Sequence, residues 1–318
     1  MATITPTLDK LLGIQYPVIV APMFLISNTA MIKAALDAGV TAAFPALNYR
    51  TNQELRDAIA EIKAHSDKPF GVNLIVNKSN PKYKTQLKTL IELKVDYIIT
   101  SLGSPREVIA QAHKVGIKVF CDVVDLKFAK KVEDLGADGI VAVNNRAGGH
   151  CGAISPSDLL KELKEHCSIP IISAGGVANS GDIKDALSLG ASGVQVGTIF
   201  IACDEAPISQ GYKQAMVDYG EKDIILSTKI SGTAITVINT PYVQQVGTKK
   251  NFLEWLLKKN KWLKKYVKML IMFRGMRKIE KAAFSATYQN VWVAGPAIES
   301  VKSIRPLKEI IADLVSGL

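Results

Sequence analysis

Residues 169–198 read IPIISAGGVANSGDIKDALSLGASGVQVGT. A β-branched apolar run ends in Gly175-Gly176, a helical stretch runs from Gly181 to Leu189, Gly190 closes it, and a second apolar run leads to Gly197-Thr198. Glycine supplies the left-handed residue that ends a helix, so the order is strand, helix, strand. Neither apolar run alternates with polar residues. Strands that are apolar on both sides are buried on both faces, as in a parallel sheet.

The same rhythm extends backwards along the chain. Strand-like runs occur at Val18–Ala21, Ala42–Pro45, Gly71–Val76, Tyr97–Ser101, Lys118–Val123 and Gly139–Asn144, and Pro170–Ala174 and Gly193–Gly197 complete a set of eight. Helical stretches at Thr29–Ala38, Gln53–Ala64, Pro81–Leu93, Pro105–Lys114, Lys127–Leu135 and Pro156–Glu165 separate them, and Gly39, Gly116 and Gly136 stand where Gly190 does. An open doubly wound sheet usually has about five or six strands and a GxGxxG loop after the first. Here the first run ends in Ala21-Pro22-Met23. The pattern predicts an α/β fold, a closed (β/α)8 (TIM) barrel.

After the eighth run the rhythm breaks. The expected organisation is a barrel over residues 1–205, a helical, basic insertion or lid over 206–290 and a C-terminal barrel helix within 291–318. That helix is read over Ile298–Val315, from apolar residues at Val301, Ile304, Leu307, Ile310, Ile311 and Leu314.

The 318 residues are 48% hydrophobic and 21% charged, a balance that fits one globular unit and excludes a disordered or fibrous chain. No apolar run reaches the roughly 18 residues needed to span a bilayer, and Met1–Lys10 lacks the basic-then-apolar pattern of a secretory leader. Cys121, Cys151, Cys167 and Cys203 form no CxxC pair, which fits a reduced, cytoplasmic protein and argues against structural zinc. The net charge of +10 has one source. Twelve of the 39 basic residues and two of the 29 acidic ones lie in 249–281, which leaves 27 of each sign elsewhere. That argues against a general nucleic-acid surface and for one local basic feature. The segment interleaves Trp255, Trp262 and several leucines with its lysines. The readings open for it are a solvated helical lid, attraction of anionic substrates, docking of an acidic carrier protein, or contact with an anionic membrane surface.

Barrel chemistry sits on the loops after the strands. Ala174–Val177 and Gln195–Thr198 are glycine-bearing turns after consecutive strands, where backbone amides can cradle a phosphate. After the sixth strand comes Asn144-Asn145-Arg146-Ala147-Gly148-Gly149-His150-Cys151-Gly152. Two glycines leave the chain uncrowded before His150, whose imidazole can exchange a proton near neutral pH. His65, His113 and His166 fall near helix ends and have an electrostatic explanation there. Asn73 is a polar group in an apolar strand, Met23 follows the first strand, and Cys121 and Asp122 end the fifth, where they could line the pocket. Cys151 lacks the base and orienting group that covalent cysteine catalysis needs.

The motifs PVIVAPM (17–23), GVN (71–73), GADG (136–139), AGGHCG (147–152), IPIISAGGV (169–177) and GASGVQVGT (190–198) together resemble the nitronate monooxygenases, formerly 2-nitropropane dioxygenases, and the related FMN-dependent enoyl-ACP reductases. The likeness covers most of residues 10–200 and fades after 206, where Ala294-Gly295-Pro296-Ala297 stands in place of the family's Ala-Gly-Gln-Ser. It implies FMN, with Gly175, Gly176, Gly197 and Thr198 at its phosphate and Ala21, Met23, Asn73 and Gln195 near the ring. It further implies His150 as the catalytic residue and Ala147, Gly148 and Gly149 as flavin or substrate contacts. The Asn144-Asn145-Arg146 lead-in differs from the reductase branch and favours oxidation of alkyl nitronates to carbonyl compounds and nitrite with O2. The alternatives are an NAD(P)H-dependent enoyl-thioester reductase and, in another class, a flavin-binding accessory protein that uses 249–281 as its contact.

Overall fold

Each of the eight apolar runs is a strand, and their ends lie within one residue of the expected ones: β1 Val18–Val20, β2 Thr41–Pro45, β3 Gly71–Ile75, β4 Tyr97–Ser101, β5 Lys118–Val123, β6 Gly139–Val143, β7 Ile171–Ala174 and β8 Gly193–Val196. In the computed structural model, which describes residues 5–77, 80–228, 234–248 and 291–318, the strands close into a barrel in chain order. The seam is parallel, with Val18 opposite Val194, Ile19 opposite Gln195 and Val20 opposite Val196.

Strand alternation gives the barrel two apolar layers. Outward residues such as Val18, Val72, Ile98 and Cys121 pack under the helices. Inward residues Ile19, Ala43, Tyr97, Ile99, Phe120, Val141, Ile172 and Ala174 fill the barrel, together with Leu8. Leu8 opens a short helix not anticipated from sequence, α1 Leu8–Leu12, and its amide donates to Ser192 O at 2.7 Å. The glycines that begin strands make room for the large residues of the interior. A Cβ at Gly71 would lie 2.0 Å from Tyr97 Cε2, and one at Gly193 would lie 2.7 Å from Leu8 Cβ.

The outer helices are α2 Thr29–Asp37, α3 Asn52–His65, α4 Tyr83–Glu92, α5 Arg106–Ala112, α6 Leu126–Asp134, α7 Pro156–His166 and α8 Ser180–Ser188. Asn28, Thr51, Asp125, Ser155 and Asn179 cap five of them through their side chains. Gly39, Gly116, Gly136 and Gly190 have φ between 80° and 93°, the left-handed stop expected of them.

The single helix expected over Ile298–Val315 is not formed. A 3-10 turn spans Pro296–Ser300, extended chain follows, and α11 covers Leu307–Leu314 behind Pro306. Proline lacks the amide and disfavours helix in the residue before it, so apolar spacing alone misjudged Arg305-Pro306. The helix packs beside α2 and buries Leu307, Ile310, Ile311 and Leu314, closing the outer ring.

Between β8 and that helix, α9 Gln210–Asp218 is followed by an antiparallel pair, β9 Ile224–Ser227 and β10 Ile235–Ile238, and by α10 Pro241–Val246. The pair was not anticipated where helix was expected. The basic stretch 249–281 lies outside the described residues. Among the described residues no helix is long and apolar enough to cross a membrane.

Candidate active site

The loop after β6 is organised by Asn144, a buried polar residue immediately after an apolar strand. Its Nδ2 donates to Gly175 O at 3.0 Å, its Oδ1 accepts from the Arg146 amide at 2.9 Å, and its backbone O accepts from Ala147 at 3.3 Å and Gly152 at 3.1 Å. This hub ties the His150 loop to the turn after β7. The closeness explains Gly175: with φ of +116°, a Cβ there would lie 2.5 Å from both Ala147 N and Asn144 Oδ1. Gly176 lies under the Arg146 side chain, whose guanidinium grips Glu221 through two bonds of 2.8 and 3.0 Å.

The turn after β8 meets the same loop from the other side. Thr198 Oγ1 accepts from the Gly295 amide at 3.1 Å, and a Cβ on Gly148 would lie 3.0 Å from Thr198 Oγ1 and 3.1 Å from Gly295 N. A Cβ on Gly197 would lie 3.3 Å from Ala21 Cβ and 3.4 Å from Met23 Sδ, which brings the loop after β1 to this point. Met23 is held by its amide donating to Ser27 Oγ at 2.9 Å, and Ser27 Oγ donates to Ala21 O at 2.9 Å. Ala21, Met23, Ala147, Gly148, Gly149, Gly175, Gly176, Gly197 and Thr198 therefore share one end of the barrel.

Asn73 and Gln195 face the interior below these loops, on β3 and β8. Asn73 Nδ2 donates to Ile99 O at 3.1 Å and Ser101 Oγ at 2.6 Å, and Ser101 Oγ donates to Asp122 Oδ2 at 2.5 Å. This chain crosses β3, β4 and β5 and does not touch the glycine turns. Gln195 Oε1 and Asp122 Oδ1 are buried acceptors with no partner among the described residues. Ser101, Asn144 and Asp122 gain their importance from contacts across strands. The only signal in the sequence is a polar residue at the end of an apolar run.

Burial sets the titration of the site. It pushes the Asp122 carboxyl up to about 6, with Ser101 pulling the other way. His150 is exposed, yet the surrounding protein desolvates it enough to lower its pKa below the usual histidine value. The Cys151 thiol is pushed up by burial, so it stays protonated near neutral pH, as a nucleophile would not. Cys121 does not line the site: it faces the outer layer, and burial raises its thiol to about 12. His65 and His113 sit at helix ends and pair with Asp37 at 2.9 Å and Asp138 at 2.8 Å. Among the described residues no cluster could hold a metal ion.

Sequence reasoning missed Thr236. On β10, its amide donates to Gly149 O at 2.9 Å, its Oγ1 accepts from Gly149 N at 2.8 Å, and the hydroxyl donates to Ala147 O at 3.2 Å. Farther along the same edge of β10, Val237 bridges Val293 and the Ile238 amide donates to Trp292 O at 2.9 Å. Tyr212 stacks on Trp292, with ring centroids 5.5 Å apart, and bonds both polar backbone groups of Val293.

Comparison with known proteins agrees with this architecture. Residues 5–317 match the model of a family described as nitronate monooxygenase. The nitronate monooxygenase of Paraburkholderia phytofirmans is 30% identical over 268 residues, covering 70% of this chain and 73% of that protein. A 5-hydroxy-7a-methyl-1-oxo-octahydro-1H-indene-4-carboxyl-CoA dehydrogenase from Rhodococcus jostii is 30% identical over 246 residues, covering 77% of this chain and 69% of that protein. Among solved structures, FabK from Thermotoga maritima superposes with a TM-score of 0.83 at 27% identity, over 98% of this chain and 95% of that one.

Proposed function

The chain belongs to the nitronate monooxygenase family, and on that footing we propose that this flavin-dependent oxidoreductase holds FMN across the C-terminal mouth of its barrel and oxidises alkyl nitronates to carbonyl compounds and nitrite with O2. The observation that carries the reading is Gln195 Oε1, a buried acceptor without a partner among the described residues, two positions before Gly197. Leaving such a group unpaired costs about 1–3 kcal/mol. A ligand that supplies the donor would remove that cost, and a flavin ring edge carries an N–H that can. The glycine turns fit the other end of the same molecule. Gly175, Gly176, Gly197 and Thr198 would hold the phosphate by backbone amides, on a surface where a side chain at Gly148, Gly175 or Gly197 would press on its neighbours. Ala21, Met23 and Asn73 would border the ring, and Ala147–Gly149 would line the substrate side.

Bound flavin supplies electron transfer out of the substrate and on to O2. The protein supplies position and proton handling. A lowered pKa keeps the His150 imidazole neutral near pH 7, so it can take the α-proton of a neutral nitroalkane. A preformed nitronate needs no proton removed, and there His150 orients the nitro group. The positive charge of 249–281, which lies outside the described residues, draws the anionic substrate in on this reading.

A second reading, oxidoreduction of an acyl thioester with NAD(P)H, is favoured by the carboxyl-CoA dehydrogenase relatives. The basic 249–281 would then dock an acidic carrier. One experiment separates the two. The purified protein should be yellow, and under anaerobic conditions an alkyl nitronate should bleach it while NADH or NADPH does not. Bleaching by the nicotinamide alone would replace the first reading with the second, and a folded protein that refuses added FMN would end both.

A further inference from the structure

We infer that Thr236, a residue of the segment inserted after the barrel, sets the position of the His150 imidazole. The inference rests on the reading of His150 as the proton-handling group. The three residues before His150 are Ala147, Gly148 and Gly149, which carry one methyl group between them. Packing of side chains cannot hold such a loop, and Gly149, at φ of +78°, sits where any other residue would be strained. The position of the loop must come from its backbone bonds. Asn144 secures both ends through Ala147 N and Gly152 N.

Between those ends the partner is Thr236. Its amide and Oγ1 take the carbonyl and the amide of Gly149, and the hydroxyl hydrogen goes to Ala147 O. Both functions of the hydroxyl are used, and the residue is 4% exposed. Thr236 is itself fixed. It pairs with Leu226 on β9, and its neighbours Ile235 and Val237 are buried with Val243 and Val291. The residue immediately after the clamped Gly149 is His150. A displacement of about 1 Å in a reacting group can cost about 100-fold in rate, so a clamp one peptide away decides whether the imidazole is in place. Thr236 is a positioning residue, and it lies 87 residues from the glycine it holds.

The test is Thr236→Val, which keeps the shape and removes the hydroxyl. Histidine NMR identifies the His150 resonance by its absence from His150→Asn. In Thr236→Val the loop loosens, the imidazole leaves the protein surroundings that desolvate it, and the His150 titration moves up toward the ordinary histidine value. Thr236→Ser should titrate as the wild type does. Bound flavin and its spectrum should be unchanged, and kcat should fall ~10- to 100-fold at constant KM. In the His150→Asn background Thr236→Val should cost much less than it does in the wild type, because most of its effect passes through the imidazole.

An unshifted His150 titration in Thr236→Val, or an equal loss of kcat in the His150→Asn background, would overturn the inference. If Thr236→Val does not fold, the Gly149 amide of the wild-type protein decides: slow exchange with solvent supports the clamp, and fast exchange removes it. Full turnover in His150→Asn would instead remove the acid–base reading. The titration would still report whether Thr236 fixes the ring.

Discussion

Ser101 Oγ donates to Asp122 Oδ2 at 2.5 Å inside the mouth of the barrel, and among the described residues the other carboxyl oxygen, Oδ1, is buried without a partner. Burial raises Asp122 from 3.8 to about 6. The folded protein therefore keeps a proton that the unfolded chain releases as pH rises from about 4 to about 6. In that window the unfolded state binds fewer protons, so stability falls with rising pH and then levels off. At 1.36 kcal/mol per unit the loss is about 3 kcal/mol. Asp122→Asn does not titrate and escapes it. Denaturant melts of flavin-free protein should show the variant gaining about 2 kcal/mol on the wild type between pH 4 and pH 8. Parallel stability curves would mean that Asp122 is not held as the structure has it.

Gly175 carries the densest junction between two loops. Its φ of +116° is closed to other residues, and an added Cβ would meet Ala147 N and Asn144 Oδ1 at 2.5 Å. Gly175→Ala should therefore cost at least about 2 kcal/mol and purify with little flavin. Gly116→Ala is the control. It also has positive φ, at +80°, but nothing lies within 4 Å of the new methyl. It should cost about 1–2 kcal/mol and keep its full complement of flavin. Equal flavin content in the two variants would show that the turn after β7 is not part of the cofactor site.

Much of this was legible from short-range pattern. A strand of a parallel barrel is buried on both faces, so β2 or β6 reads as an apolar run whatever its partners are. The four helix-ending glycines carry their conformation locally, and all four are left-handed. The β6, β7 and β8 turns are glycine motifs contiguous in sequence. Thr236 is different. Ile235-Thr236-Val237-Ile238 is β-branched throughout and could have been read as a strand. Nothing local, however, says that its hydroxyl meets Gly149 at a separation of 87 residues. The Asn73–Ser101–Asp122 chain is likewise a product of barrel register. Arg305-Pro306 was in plain view and was outweighed by helical spacing on either side, although one proline overrides several well-placed leucines.

The interior offers a test of packing independent of the site. Gly71 yields its side-chain space to Tyr97, whose Cε2 would sit 2.0 Å from an added Cβ. Tyr97 is fully buried and meets Phe120 with ring centroids 5.3 Å apart. Gly71→Ala should destabilise by about 3 kcal/mol or more, since the ring has no free space to move into. Tyr97→Val alone should cost about 3–5 kcal/mol by opening a cavity. Together the two should cost less than their sum by at least about 1 kcal/mol, because the methyl fills part of that cavity. Chemical denaturation of the four proteins measures the coupling, and strict additivity would count against the contact.

His150 gives the two catalytic readings opposite pH behaviour. Its pKa is lowered by desolvation, so the neutral form persists to more acidic pH than for a free histidine. If the imidazole takes the α-proton of a nitroalkane, kcat/KM rises with pH through a limb below the ordinary histidine pKa and is flat above it. If it donates a proton to a reduced thioester, activity falls with pH through that same limb. His150→Asn should erase the limb and lower kcat/KM for a neutral nitroalkane about 100- to 10,000-fold, leaving the flavin spectrum as it was. The same variant should lose much less on a preformed nitronate, whose proton is already gone. Steady-state assays of both substrate forms between pH 5 and 9 make the comparison. Equal losses on the two would show that His150 positions the substrate in both cases and moves a proton in neither.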